Sequence, residues 1–395
     1  MQAVILAAGK STRTYPITLT RPKCLVKIAN RPIIQHNLES LRGLADEAII
    51  VVGYMKDMVK GFLGSEFQGI RITYVEQEEQ LGTGHALLAA EPAIKGRFMV
   101  MMGDDIYYRQ SMEKVLAHEN SLLVQKVKEP SRFGVWVTGK DGFVTGFAEK
   151  PAQFVSDLAN CGLYVLEPEI FQEIKKLEKS ERGEYELNEA VNAYAKARPV
   201  RCEDAGKGWL SVGYPWDILG ANERLLEEMK NPRMEGTVEP HVVIKGKVCV
   251  GKGSVIMSGT YIEGPCAIGE NCIIGPNAYI RPATSIGDNC RIRAEVVDSV
   301  IMDGTTAKHH SYIGHSVIGE DVNIACGTVT ADYRHDGKEH TAMIKGSKVD
   351  SMRRKLGAFI GDSVRTGINT SIYPGRMIWP GRTTLPGEVV SKDKA

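Results

Sequence analysis

The spacing of hydrophobic and polar positions changes once along the chain, near residue 230. Before that point short apolar runs alternate with segments whose apolar residues recur at helical intervals. "AVILAAG", "EAIIVVGY" and "FMVMMGDD" are continuous apolar runs ending in glycine or acidic turns, whereas "IIQHNLESLRGL" and "HALLAAEPAI" carry the helical spacing. This alternation predicts an α/β domain, Rossmann-like, with a mainly parallel mixed sheet. Ligands in such sheets bind outside the carboxyl ends of the strands, so "AAGKSTR" and "GDD" are candidates for one shared site.

After "LLEEMKNPRMEG" the period becomes six. Ile or Val occupies 238, 244, 250, 256, 262, 268, 274, 280, 286 and 292 without a break. Small residues follow four positions later, among them Ser254, Thr260, Cys266, Cys272, Ala278, Thr284 and Cys290. No α-helix repeats every six residues. A triangular coil does, with three short strands per turn, aliphatics stacked inward and Gly or Asn turning the corners. The pattern predicts a parallel β-helix of hexapeptide repeats. It stops after 292, resumes at Ile318 and Ile324, gives way to "TADYRHDGKEHTAMIKGSKVDSMRRK", and returns at Ile360, Ile372 and Ile378. Long loops that interrupt a solenoid commonly carry function. The reading is a first domain over 1–225, a linker over 226–236 and a coil over 237–395.

Composition narrows the classes. The chain has 395 residues, 43% hydrophobic and 25% charged, with net charge +1, and no run of like charges suggests a nucleic-acid partner. The N-terminal apolar stretch is short and lacks a basic flank, so it reads as a buried strand and not as a signal peptide. No stretch approaches a membrane span, and a cytoplasmic location is expected. The eight cysteines form no C-x-x-C pair, which favours reduced buried thiols over a zinc ribbon.

"LAAGKSTRTYPITLTRPKCLVKIANRPII" resembles the signature of sugar-1-phosphate nucleotidyltransferases, with Ser11 where a second glycine is common. A glycine turn after a buried strand lets backbone N–H groups approach a triphosphate. The resemblance implies that Leu6, Ala7, Ala8 and Gly9 bind nucleotide, that Arg13 pairs with the β- and γ-phosphates, and that Lys23 offsets charge developing at the α-phosphorus. "QEEQLGTGHAL" resembles the pyrimidine-recognition segment of the uridylyltransferase branch, implying that Gln77, Gln80, Gly82 and Thr83 contact base and ribose. In "MGDD" the resemblance makes Asp104 the Mg²⁺ ligand, with Asp105 outside the shell. "FGVWV", "GFAEKP" and "ANCGLYV" match the family's sugar-phosphate motifs and imply Gly134, Glu149, Lys150 and Asn160 as contacts. "WLSVGYPWD" carries Ser211 where many relatives have a second metal-binding aspartate, with Asp217 the nearest downstream acid.

Over 281–340 the chain resembles the acetyltransferase half of the bifunctional enzyme that makes UDP-N-acetylglucosamine, and the likeness covers both domains in the same order. It implies a left-handed coil. "AKHHSYIGHSVIGEDVNIACGTVT" aligns His309 with the catalytic histidine, Tyr312 with a substrate-site tyrosine and Asn323 with a substrate-binding asparagine. Arg281, Arg293 and Lys338 fall where the family has basic residues around the sugar phosphate. An amine attacking a thioester must lose a proton, which suits histidine, and the phosphate needs Arg or Lys. Asp332 stands where the family often has asparagine, and His315 replaces an acid common in relatives. "DYRHDGK" suggests the archaeal branch. His309 and His310, read as strand neighbours, point to opposite faces and do not share a metal ion.

The resemblance thus implies a bifunctional enzyme. It transfers acetyl from acetyl-CoA to glucosamine-1-phosphate or galactosamine-1-phosphate, then joins the product to UTP with Mg²⁺ and releases pyrophosphate. A homotrimer, or a multiple of three, is implied by the way such coils bind acetyl-CoA between neighbours. Arg376, Arg382 and Lys392 are candidates for the CoA phosphates. Two alternatives stand: nucleotidyl transfer alone, to glucose-1-phosphate with UTP or dTTP, over a structural coil; and a non-catalytic regulatory subunit. Intact Arg13, Lys23 and Asp104 count against the second, and His309, Asn323 and Lys338 against the first.

Overall fold

The computed structural model describes residues 1–395. It resolves into two compact units that interleave along the chain. One comprises Met1–Lys10, Pro22–Leu25 and Ile33–Ser211; the other comprises Ser11–Arg21, Val26–Pro32 and Val212–Ala395.

The first unit is built on a mixed sheet. Strands Phe98–Met102, Gln2–Ala7, Glu47–Val52 and Ile70–Glu76 run parallel in that order, and Leu158–Leu166 joins antiparallel beside Phe98–Met102. Gln2–Ala7 and Glu47–Val52 are buried along their whole length, as expected of central parallel strands covered on both faces. One face packs on Ile34, Leu38 and Leu41 of the helix Ile33–Leu41, and the other on Ala86, Leu87, Ala190 and Val191. Beyond the parallel core, Gly134–Thr138 and Val144–Glu149 form a hairpin at the sheet edge.

The second unit is a parallel β-helix. Its strands stack into three sheets of five, eight and seven strands, all parallel. Val250, Ile268, Ile286, Ile301, Ile318, Ile360 and Ile378 form one inward ladder on the seven-stranded sheet. Full burial of one such side chain contributes about 1.5–3 kcal/mol. The small residue four positions on is a backbone bridge between turns. Ser254 Oγ donates to Gly269 O at 2.7 Å, and Cys272 Sγ to Gly287 O at 3.0 Å. All eight cysteines are free, but Cys202 and Cys249 are half-buried and Cys326 is exposed, so the expectation of buried thiols holds for the other five.

Two details of the repeat differ from the sequence reading. The residue that turns each corner in the left-handed region lies three positions after the aliphatic: Gly253, Gly259, Asn271, Asn277, Ala283 and Asn289. The glycines directly after the aliphatic serve close stacking; a Cβ on Gly251 would lie 2.6 Å from the Gly269 backbone. The coil also does not stop at 292. Val296, Ile301, Ala307, Ile313 and Ile318 continue the core, with steps of four and five residues at 292–296, 296–301 and 313–318. Shortened corners, and no break, shift the phase. The true interruption is the later loop, which contains the hairpin Thr341–Ile344 with Ser347–Asp350.

Segments from early in the chain pack within this second unit. Arg21 pairs with Glu320 and Asp362, and Lys27 lies 2.6 Å from Asp303. Asn222, on the helix Asp217–Glu227, is fully buried; it accepts from Ala29 N–H and Ser285 O–H and donates to Ala283 O.

Candidate functional sites

In the first unit the parallel strands end together. Gly103 N–H donates to Leu6 O at 2.9 Å and Tyr54 N–H to Ala8 O at 3.0 Å, which brings the "LAAG" turn beside the Gly103–Asp104 turn. Gly53 sits in a tight place: a Cβ there would lie 3.0 Å from Ala8 Cβ and 3.1 Å from Gln77 O. Leu6, Ala7 and Ala8 are buried and Gly9 is exposed. Here Lys23, only 5% exposed, holds its ammonium 2.8 Å from Asp104 Oδ2. Asp105 points elsewhere and accepts the Trp209 indole N–H at 3.0 Å.

The residues of the segment "QEEQLGTG" divide. Gln77 is buried, donates to Gly82 O at 3.1 Å and meets His85 Nδ1 at 3.1 Å, so it shapes the loop; Gln80 is exposed. Gly82 has φ of +104°, and a Cβ there would lie 2.7 Å from Tyr185 O. Thr83 Oγ1 opens the helix Thr83–Ala89 and accepts Leu187 N–H.

On the edge hairpin, a Cβ on Gly134 would touch Glu149 Oε2 at 2.7 Å, and Lys150 N–H donates to Phe133 O, with Lys150 held at φ of +44°. Glu149 pairs with Arg182 at 3.4 Å. Asn160 is a hub. Its Oδ1 accepts from Trp136 Nε1, Tyr164 O–H and Gly162 N–H, and its Nδ2 donates to Asn188 Oδ1. The second amide hydrogen of Asn160 Nδ2 makes no hydrogen bond within the chain. Sequence reasoning missed Asn188 and Arg182, which no local motif marks.

Arg13, in the second unit, is exposed with its guanidinium 5.8 Å above the Tyr214 ring. Ser11 adopts φ of +49°, and its carbonyl accepts from Thr14 N–H, Thr14 O–H and Thr18 O–H, so the turn survives without the second glycine. Asp217 Oδ2 accepts Tyr214 N–H at 2.7 Å.

The coil carries a second candidate site. A groove of about 460 Å³ is lined by Asn277, Tyr279, Arg293, Glu295, His310 and Tyr312, among others. Arg281 donates to Glu295 at 3.0 Å and lies over the Tyr279 ring. Arg293 Nε is buried without a hydrogen-bond partner. His309 and His310 are not strand neighbours: they occupy the bend between Thr306–Ala307 and Tyr312–Gly314, both exposed. Strand alternation therefore does not govern them, and His310, not His309, lines the groove. Asn323 accepts from Thr306 O–H at 2.9 Å and bridges Thr306 and Arg365, on a different face of the coil from Tyr312. His309 sits on the corner joining those faces. Lys338 is exposed on the long loop. Arg376 pairs with Asp393 at 3.6 Å, and Arg382 and Lys392 are exposed.

His315 is separate from the other two histidines. It is buried, with Nδ1 2.7 Å from Asp298 Oδ2. Burial and the bond to Asp332 push the Tyr312 phenol up.

Comparison with known proteins bears on both units. Residues 2–228 match the nucleotidyl transferase family and 260–378 the GMPPB C-terminal domain. The Bifunctional protein GlmU of Methanococcus maripaludis strain C7 is 42% identical over 391 residues, covering 98% of this chain and 93% of the relative. A bifunctional sugar-1-phosphate nucleotidylyltransferase/acetyltransferase of Sulfurisphaera tokodaii is 40% identical, covering 100% and 98%. Among solved structures, a putative glucose-1-phosphate thymidylyltransferase from Bacillus anthracis is 29% identical with a TM-score of 0.53, covering 59% of this chain and 98% of that one. No helix is long and apolar enough to cross a membrane. With a nucleotidyltransferase sheet, a hexapeptide coil and end-to-end likeness to proteins that combine both, the chain belongs to the nucleotidyl transferase family, among the bifunctional GlmU-type transferases.

Proposed function

We propose that the chain acetylates an amino-sugar-1-phosphate, glucosamine-1-phosphate or galactosamine-1-phosphate, with acetyl-CoA and joins the product to UTP, forming UDP-N-acetylglucosamine or its epimer. Uridylyl transfer is assigned to residues 1–225 and acetyl transfer to 237–395. The observation that carries the reading is the likeness along both units to relatives named for both activities.

For uridylyl transfer, the phosphate oxygen of the sugar phosphate attacks the α-phosphorus of UTP and pyrophosphate leaves. Lys23, fixed by burial and by Asp104, offers a positioned cation to the charge that builds there. Arg13 holds the departing phosphates. Asp104 is half-buried, and a hard cation needs few protein ligands when phosphates and waters complete its shell, so the donor set fits Mg²⁺ at this residue. Bound there, Mg²⁺ supplies neutralisation of phosphate charge. Gln77, Gln80, Gly82 and Thr83 frame the base, and Gly134, Glu149, Lys150 and Asn160 the sugar phosphate.

For acetyl transfer, the amine attacks the thioester carbon, its proton passes to His309, and the CoA thiolate leaves. Arg281, Arg293, Tyr312, Asn323 and Lys338 surround the sugar-1-phosphate substrate. Asn323 and Tyr312 lie on different faces of one coil, which supports a site completed by a neighbouring copy and hence a trimer. The second reading is nucleotidyl transfer alone over a structural coil.

The test is an assay of purified protein with acetyl-CoA and each amino-sugar-1-phosphate, reading CoA thiol, alongside pyrophosphate release from UTP. The bifunctional reading expects both products, and His309→Ala should abolish CoA release and spare pyrophosphate release. Turnover of UTP without CoA release from either amino sugar would leave the second reading.

A further inference from the structure

The groove on the coil contains a hydroxyl whose single proton is already committed. Tyr312 lines the groove, and its O–H donates to Asp332 Oδ2 at 2.7 Å. An ionised carboxylate only accepts, so the phenol presents lone pairs alone to any ligand. Burial and this bond keep the phenol in its neutral form well above the ordinary range.

Asp332 is held in place from several sides. Leu356 N–H donates to its carbonyl at 2.9 Å, and His340 Nε2 meets the same carbonyl at 3.0 Å. His315 approaches the same carboxylate oxygen that Tyr312 binds. Nδ1 of that ring is bound to Asp298, which Arg353 also grips at 2.6 Å, while Nε2 lies 3.4 Å from Asp332 Oδ2 without a hydrogen-bond partner. The side chains of His315, Asp298 and Asp332 are 10%, 13% and 12% exposed. His315 sits at a coil corner, between Tyr312–Gly314 and Val317–Ile318, with a backbone φ of +49°. Gly314 makes the space: a Cβ there would lie 2.6 Å from both Asp332 Oδ2 and the Tyr312 hydroxyl.

We propose that Asp332, braced by His315, sets the hydrogen-bond polarity of Tyr312, so that this hydroxyl receives a hydrogen bond from the amine of the acyl acceptor and takes no part in holding its phosphate. The inference rests on the reading of the coil as an acetyl-transfer site. Asp332 and His315 are positioning residues in it: they act through Tyr312. An unprotonated phosphate oxygen at Tyr312 would face lone pairs, which leaves the phosphate to arginine, and Arg293 lines the same groove. An asparagine at 332 would reverse the choice, because its amide N–H could donate to the phenol and free the phenol proton for an anion.

The experiment is a double-mutant cycle on the full-length chain with Asp332→Asn, Tyr312→Phe and both, reading CoA thiol release from glucosamine-1-phosphate. Asp332→Asn is expected to raise KM by about tenfold with little change in kcat, and to have less than about a twofold effect in the Tyr312→Phe background. Equal effects in both backgrounds, or a loss confined to kcat, would overturn the proposal. A second readout is independent of activity. In protein labelled with 3-fluorotyrosine, the ¹⁹F resonance missing from Tyr312→Phe should shift in Asp332→Asn and in His315→Gln. A resonance unmoved by either removes the link. If the unaltered protein releases no CoA from either amino sugar, the acetyl-transfer reading falls, while the ¹⁹F shifts still decide whether Asp332 and His315 govern the hydroxyl.

Discussion

The ammonium of Lys23 lies 2.8 Å from Oδ2 of Asp104, with the lysine almost wholly buried and the aspartate 39% exposed. The pair is therefore asymmetric: the cation has lost its water, and the anion has kept much of its own. Lys23→Met removes a buried charge and fills similar space, so it should cut pyrophosphate release by about 100-fold or more with little change in Tm. Asp104→Ala strands the ammonium, and should abolish the reaction and also cost about 1–2 kcal/mol of stability, reduced from a fully buried pair by solvent screening. Identical unfolding midpoints for the two variants would contradict the asymmetry.

Glu47 predicts a specific acid sensitivity. Burial pushes its carboxyl up, but bonds from Arg71, Thr73, Gln2 and Lys95 outweigh burial and hold it at about 2, against an ordinary 4.5. A depressed carboxylate gives stability that is complete above its unfolded value and lost as pH falls through the folded one. The loss should therefore fall between about pH 4.5 and 2. Arg71 and Lys95 are largely exposed, so Glu47→Gln should cost about 1–2 kcal/mol at pH 7 and flatten the unfolding free energy across that window, as measured by urea titration at a series of pH values.

Ser11 offers a gain. Its side chain makes no capping bond while its backbone sits at φ of +49°. Ser11→Gly should raise the urea midpoint by an amount equivalent to about 0.5–1 kcal/mol. A decrease would show that the hydroxyl contributes more than the backbone strain costs.

Asn160 should behave as a structural residue as well as the proposed sugar-phosphate contact. Asn160→Ala leaves the Trp136 indole N–H without its acceptor and should cost about 2–3 kcal/mol, visible as a lower Tm without substrate. Asn160→Asp keeps the acceptor and should cost less. Equal Tm values would argue that the indole finds another partner.

The parts of the fold legible in the sequence were those written as period. Ten aliphatics at steps of six announced the coil, and apolar runs ending in "AAG" and "GDD" announced the sheet and the shared strand-end position. The phase shift between Ile292 and Ile318 was not legible as a continuing coil, because a corner shortened by one or two residues keeps its neighbours paired while breaking the count. His309 and His310 were misread for a related reason: their geometry is that of a corner, and strand alternation applies only between corners. Asn188, Arg182 and the contacts of His315 depend on residues far apart in sequence, which no motif brings together.

The loop that interrupts the coil leaves one more consequence. Val317 pairs with Phe359 and Ile318 with Ile360 across it, in the same register as the turns above and below. The scaffold therefore closes beneath the insertion and does not count its residues. Residues can be added to or removed from this segment while the ladder below stays in step.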